Sequence, residues 1–228
     1  MLSSLVEQTC KNFAIDVAFY VGNGVPKTIE LIDHFRRLDI RILRRQYTDF
    51  GRFERRGLTR NDQLRECISP WVWFCDSDHV YHPEYIERLL AELDRLIDQD
   101  RLITAGRMST PVNCTNVLID RTVGTKPIYI ARAFEQAERL EPKNKRRACG
   151  AGHTQIVRVA SLHEKVYVGE DCCRDWRWSS RIQKARSDMQ FRKLCGGRIS
   201  LPQWFSVNQI HLNHLRDNQV GYHLECQR

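Results

Sequence analysis

The chain has 228 residues, a formal net charge of +8, and an ordinary balance of 42% hydrophobic to 28% charged residues. That length buries one good core, or one core with a small appendage, and the composition excludes a disordered chain. No apolar run reaches the roughly 18 residues that span a bilayer, and residues 1–8 have neither a basic start nor a long apolar stretch, so a cytoplasmic protein without a signal peptide is expected.

The excess of 36 basic over 28 acidic residues attracts polyanions: nucleotide diphosphates, nucleic acid, or an acidic membrane bound peripherally. It is spread along the chain without a basic tail, so charge alone does not separate these partners. The nine cysteines include no Cys-x-x-Cys pair, which fits free thiols in a reducing compartment better than a zinc site.

In chain order, short apolar strands alternate with amphipathic helices, a pattern that predicts an α/β fold with a mostly parallel sheet. A helix is expected over 2–11 and a strand over 16–21. Gly22-Asn23-Gly24 makes a turn, and a second helix covers 28–37. A strand at 40–43 is followed by an arginine-rich loop over 44–59 and a helix over 60–68. Trp71-Val-Trp-Phe-Cys75 has no polar side chain, as expected of a strand buried on both faces. Pro83 opens a helix to about residue 97, and a strand follows at 102–105. Further on, strands are expected at 128–130, 154–159, 199–201 and 207–212. A helix over 188–194 stops at Gly196-Gly197. With no repeats or linkers, residues 1–228 read as one domain, with a first half to 106 and a second from 107.

The richest segment is Asp76-Ser-Asp78, directly after the apolar strand. It puts two carboxylates at the C-terminal edge of a sheet, where α/β proteins bind ligands. Two acids so close repel unless a cation or proton lies between them, and Mg²⁺ or Mn²⁺ accepts such oxygen ligands. The plain alternative is an N-cap for the following helix.

The order Ser4-Leu-Val-Glu-Gln-Thr9, Asn12-Phe13, Arg60-Asn61, then Trp73-Phe-Cys-Asp-Ser-Asp78 and Pro83 resembles the family 2 glycosyltransferases of the GT-A fold. The resemblance implies a Rossmann-like three-layer α/β/α sandwich. It also implies a nucleotide-diphosphate sugar donor of UDP or GDP type, a hydroxyl-bearing acceptor such as a carbohydrate, and Mn²⁺ or Mg²⁺. Asp76 and Asp78 would hold the metal and Asp76 the donor as well, while Arg60 and Asn61 meet the donor nucleotide. An arginine fork at a helix N-terminus suits an anion. Arg52, Arg55 and Arg56 either close over the pyrophosphate or form a solvated loop.

In the second half, Asp188 at a helix start matches the family's catalytic base for inverting transfer, with Glu170 and Asp171 as the rival pair. Gly150 and Gly152 match the segment where backbone approaches the donor sugar, or make a plain turn. Trp176 and Trp178 offer an acceptor platform or core packing. His211, and next His214, match the imidazole that completes the family's metal site; His79 and His82 flank the acidic loop as weaker candidates.

One departure stands out. The family opens with an apolar strand ahead of the helix at 2–11, and in its sheet that strand lies between those corresponding to 16–21 and 71–75. Here it is not in the sequence. An upstream start, closure of the two strands on each other, or another segment in the gap would each resolve this. Two other readings stay open: a non-catalytic GT-A-like binding module, and a basic nucleic-acid-binding protein, for which no motif is found.

Overall fold

The computed structural model describes residues 1–22, 25–38, 40–54, 56–75, 79–99, 101–105, 108–109, 154–160 and 198–211. The first half runs α1 (Leu2–Val6), β1 (Ala14–Tyr20), α2 (Val25–Arg36), β2 (Arg41–Tyr47), α3 (Phe50–Glu54) and α4 (Arg56–Arg65). Then come β3 (Trp71–Cys75), β4 (His79–Tyr81), α5 (Tyr85–Arg95), β5 (Leu102–Thr104) and β6 (Met108–Ser109). The last described elements are β7 (Thr154–Arg158), β8 (Arg198–Ser200), α6 (Gln203–Val207) and β9 (Gln209–His211). The strand expected at 128–130 and the helix at 188–194 lie outside the described residues.

β1 and β2 pair in parallel, from Ala14 opposite Arg41 to Tyr20 opposite Tyr47. A four-stranded sheet has the order β3-β7-β5-β8, with β7 antiparallel to both neighbours and β5 parallel to β8. In a smaller sheet β9 lies between β4, antiparallel, and β6, parallel. Parallel pairs are present, as the helix–strand alternation predicts, and β7 makes the central sheet mixed.

The central sheet is covered on both faces, as the apolar β3 requires. Successive side chains on a strand point to opposite faces. Trp71 and Trp73 accordingly join a cluster with Ile103, Ile156, Leu5 of α1, Phe205 of α6, and Tyr85, Ile86, Leu89 and Leu93 of α5. Val72 and Phe74 face the other way, with Leu102, Val157 and Leu64 of α4. The spacing of Tyr85, Ile86, Leu89 and Leu93 is the apolar stripe of a helix lying on a core. Each fully buried aliphatic or aromatic side chain here is worth about 1.5–3 kcal/mol of transfer free energy. Among the described residues no helix is long and apolar enough to cross a membrane.

Three corrections concern the first half, and one is that α1 ends at Val6 instead of running on to residue 11. β2 runs on through residues 44–47, where a loop was expected, because its arginines find carboxylates on both faces. Arg44 reaches Asp33 of α2 at 3.1 Å, while Arg45 reaches Asp16 of β1 at 3.0 Å and Glu66 at 2.8 Å. The rest of that loop is helical: α3 and the first turn of α4 occupy it, so α4 spans 56–65 instead of 60–68. Later, the strand expected over 207–212 begins only after α6, at Gln209.

β1 and β3 do not close on each other: among the described residues β1 pairs with β2, and β3 with β7. Helices join the two sheets instead. Gln63 of α4 donates to the Asp16 carbonyl at 3.1 Å while Leu64 packs on Phe74. On the opposite face, Leu5 of α1 enters the central cluster and Leu2 and Val6 enter that of β1, β2 and α2.

Gln8 fastens α1 to the start of α5. Its buried amide donates to the carbonyls of Ser4 (2.8 Å) and His82 (2.9 Å) and accepts the Ile86 N–H at 2.9 Å. The last bond satisfies one of the donors that a helix N-terminus leaves open. Gln8→Leu keeps the bulk and strands these groups. It should lower stability by about 2–4 kcal/mol in urea denaturation, more than a single lost hydrogen bond.

Burial holds the His82 imidazole below its ordinary pKa, and its Nδ1 accepts the Glu84 N–H at 3.2 Å. The unfolded chain therefore takes up this proton more readily than the folded one. Stability should be full above pH ~6.5 and fall as the solution is acidified below it. His82→Asn should flatten that part of a melting-temperature profile.

Candidate functional site

The C-terminal end of β3 is where the chain leaves the central sheet for Asp76-Ser-Asp78. Those three residues lie outside the described set, but both flanks are described. Cys75 stands opposite Thr154 in the β3–β7 ladder. On the far side His79 opens β4 and stands opposite His211 of β9.

Buried polar groups gather around these flanks. His79, Thr154, Gln155 and Gln209 are all withdrawn from solvent. Such groups are costly unless they are hydrogen-bonded. Thr154 Oγ1 donates to Gln209 Oε1 at 3.1 Å, joining the central sheet to the smaller one. The imidazole of His79 stacks on Tyr81, with ring centres 6.1 Å apart.

Arg60 approaches from α4. Its Nη1 donates to Gln155 Oε1 at 3.0 Å, and its guanidinium carbon lies 5.2 Å from the centre of the Phe74 ring. Phe74 and Gln155 are themselves direct partners in the ladder. The cation is thus held at the next-to-last ladder position, two residues before the acidic segment begins. This corrects one detail of the sequence reading. α4 starts at Arg56, so Arg60 and Asn61 lie a full turn inside the helix, away from the dipole at its N-terminus.

Arg52 is not on a solvated loop. It sits in α3 and forks onto Asp62 at 2.8 and 2.9 Å, where the Tyr47 hydroxyl also donates at 3.0 Å. Burial and the bond to Asp62 push the Tyr47 pKa up to about 12. Arg55 and the side chain of Arg56 lie outside the described residues.

Tyr20, at the end of β1, meets Phe50 edge-on at 5.1 Å and stacks on Phe53 at 6.2 Å. Its ring lies so close over Gly22 that a Cβ there would run into it. The sequence reading missed this aromatic group and Gln155. The aromatics are scattered between 20 and 53, and a glutamine inside an apolar strand reads as incidental.

Of the other expected site residues, Asp76, Asp78, Gly150, Gly152, Glu170, Asp171, Trp176, Trp178, Asp188 and His214 lie outside the described residues. His211 is placed by its backbone in β9.

The chain is similar to the crystal structure of S. aureus TarS 1-349, with a TM-score of 0.60 and 13% identity over 93% of this chain and 55% of that one. It is also similar to a crystal structure of S. aureus TarS at TM-score 0.60 and 16% identity, over 93% of this chain and 34% of that one. The fold is GT-A-like: an α/β architecture with parallel pairs in its sheets. The chain spans about half and about a third of the lengths of those two structures.

The chain belongs to glycosyl transferase family 2, whose sequence pattern matches residues 1–149. No curated protein matches it in sequence.

The Thr154–Gln209 bond is testable. Thr154→Val removes the donor and leaves the buried Gln209 oxygen facing a methyl group. It should cost about 1–3 kcal/mol by chemical denaturation, with the m-value unchanged because the same surface is exposed on unfolding.

Proposed function

We propose that the chain transfers a sugar from a nucleotide-diphosphate sugar, of UDP or GDP type, to an acceptor hydroxyl. The observation that carries this reading is the position of Arg60. It is a cation fixed against Phe74 and Gln155, two residues before Asp76-Ser-Asp78, at the sheet edge where α/β folds bind nucleotides. A guanidinium fork there suits a diphosphate.

The residues near this edge fit a divalent ion. Asp76 and Asp78 contribute oxygens within a three-residue connection between β3 and β4. His211 stands in register at the far end of that connection, and His214 follows three residues later. Carboxylates with imidazole suit Mn²⁺ and, through the oxygens, Mg²⁺. When bound, such an ion offsets negative charge on the leaving diphosphate.

Asp188 takes the proton of the acceptor hydroxyl. The freed oxygen attacks the anomeric carbon, and the bond to the diphosphate breaks with its electron pair leaving on phosphate oxygen. Attack from the face opposite the leaving group inverts that carbon. Glu170 and Asp171 are the alternative base. Asn61 joins Arg60 at the nucleotide, Gly150 and Gly152 let backbone approach the donor sugar, and Trp176 and Trp178 face the acceptor.

Thermal shift with Mn²⁺ and UDP, GDP or CDP should raise the melting temperature for at least one nucleotide. Stabilisation by about 2.7 kcal/mol is expected at a hundredfold excess of ligand over Kd. No shift with any of the three would sink the donor reading. Hydrolysis of the matching nucleotide sugar should fall by at least about a hundredfold in Asp76→Ala and in Asp188→Asn. Unchanged turnover in Asp76→Ala would remove the metal assignment. Nucleotide binding without turnover in the wild type would leave a binding module.

A further inference from the structure

The bond between Arg60 and Gln155 invites a question that the family relationship does not answer: why a strand otherwise made for burial carries a fully buried glutamine. β7 reads Thr154-Gln-Ile-Val-Arg158, and Gln155 shares its face with Val157, which packs in the apolar cluster under α4. An aliphatic side chain at 155 would extend that cluster. A buried amide is tolerated only when its polar atoms are engaged. Because a guanidinium carries donors and no acceptor, the amide must turn its oxygen toward Arg60.

We infer that Gln155 is a positioning residue for the donor site: with its ladder partner Phe74, it holds the Arg60 guanidinium toward the diphosphate of the nucleotide. This rests on the donor reading above and adds to it how the cation is aimed. Two features of the pair matter. Phe74 and Gln155 are direct partners in the antiparallel ladder, so both side chains rise on the same face of the sheet. One supplies a ring face beside the cation and the other an oxygen at 3.0 Å. Two contacts on neighbouring strands fix an arginine side chain better than one, and the loss of its rotamer freedom is met on folding, before ligand arrives.

The second feature is charge. The amide oxygen orients the guanidinium without neutralising it, whereas a carboxylate of the same length would hold it as well and cancel its field. At position 155 a glutamine therefore gives placement without adding a negative charge of its own, which a glutamate would add.

The test measures binding of UDP, GDP and CDP, each with Mn²⁺, by calorimetry. The proteins are wild type, Arg60→Ala, Gln155→Leu, the double variant and Gln155→Glu. Gln155→Leu should weaken the nucleotide that wild type binds by about tenfold, the scale of one charge-assisted hydrogen bond. In the Arg60→Ala background the same substitution should change affinity by less than about twofold, since coupled residues are non-additive. Gln155→Glu should melt at or above the wild-type temperature, because it gains an ion pair, yet bind nucleotide more weakly. A merely structural role would not produce that split. If Gln155→Leu binds as wild type does, or weakens binding equally with and without Arg60, the positioning role is wrong while the donor reading stands. If Gln155→Glu binds as wild type, the charge argument fails. If the wild type binds none of the three nucleotides, the donor reading fails and takes this inference with it.

Discussion

The antiparallel ladder between β3 and β7 is the constraint on which both the core and the site depend. It pairs Trp71 with Arg158, Val72 with Val157, Trp73 with Ile156, Phe74 with Gln155 and Cys75 with Thr154. Side chains alternate faces with a period of two, so a slip of one residue would turn every one of them over. Gln155 would then face the Tyr85 and Leu89 side of the sheet, and Ile156 would meet Arg60. The register is held because each face is already specified. One takes Trp73 and Ile156 into the larger cluster, and the other takes Val72, Phe74 and Val157 under α4. The arrangement that buries the core is thus the one that delivers Thr154 and Gln155 to the end of β3.

The basic excess of the chain is a poor guide to where an anion would bind. Much of the described arginine is spent on internal pairing. Arg44 meets Asp33, Arg45 meets Asp16 and Glu66, Arg52 meets Asp62, and Arg88 meets Glu84. Several of these pairs lie at the surface, where solvent and salt leave little net energy. Arg45 is the firmer case. It is largely buried and forked onto two carboxylates, and the Glu66 bond, foremost, raises its pKa above the ordinary arginine value. That pairing ties β2, β1 and the end of α4 together. Arg60 stands beside the end of a buried strand, against Phe74 and the Gln155 amide, a placement that no count of charges reports.

Much of the fold was legible because its signals are periodic. β3 spans 71–75 as its unbroken apolar run predicts, and α5 buries the residues that its helical spacing selects. β5, β7 and β8 fall within a residue of their expected bounds. The misreadings share one cause, which is tertiary satisfaction of polar residues. Arg44 and Arg45 look like a loop until Asp33, Asp16 and Glu66 are brought beside them. α1 stops at Val6 because Gln8, read as helical, turns its amide to His82 and Ile86 instead. β4 is three residues long, and its strand character comes from pairing with β9, more than a hundred residues away. At the candidate site, Asp76-Ser-Asp78 was singled out because it follows an apolar strand, and Arg60 by its likeness to the family's Arg-Asn pair. Gln155 was not, because its significance lies in a partner 95 positions away.

The junction between the β1–β2 pair and the central sheet follows the same logic. β1 carries backbone groups on the side away from β2, and a buried carbonyl or amide there needs a partner as surely as one inside a ladder. Among the described residues no strand pairs between β1 and β3. At Asp16 a side chain does what a strand would do: Gln63 donates to its carbonyl at 3.1 Å, while Arg45 holds its carboxylate. A ladder serves every second residue along its length, whereas a side chain serves one carbonyl and must itself be ordered. α4 is therefore a structural strap as well as the carrier of Arg60. A change that loosens its grip on β1 should be felt within one turn of the helix, where the cation is set. Gln63 and Arg60 sit three residues apart on one rigid element, so joining the sheets and aiming the guanidinium are a single packing problem.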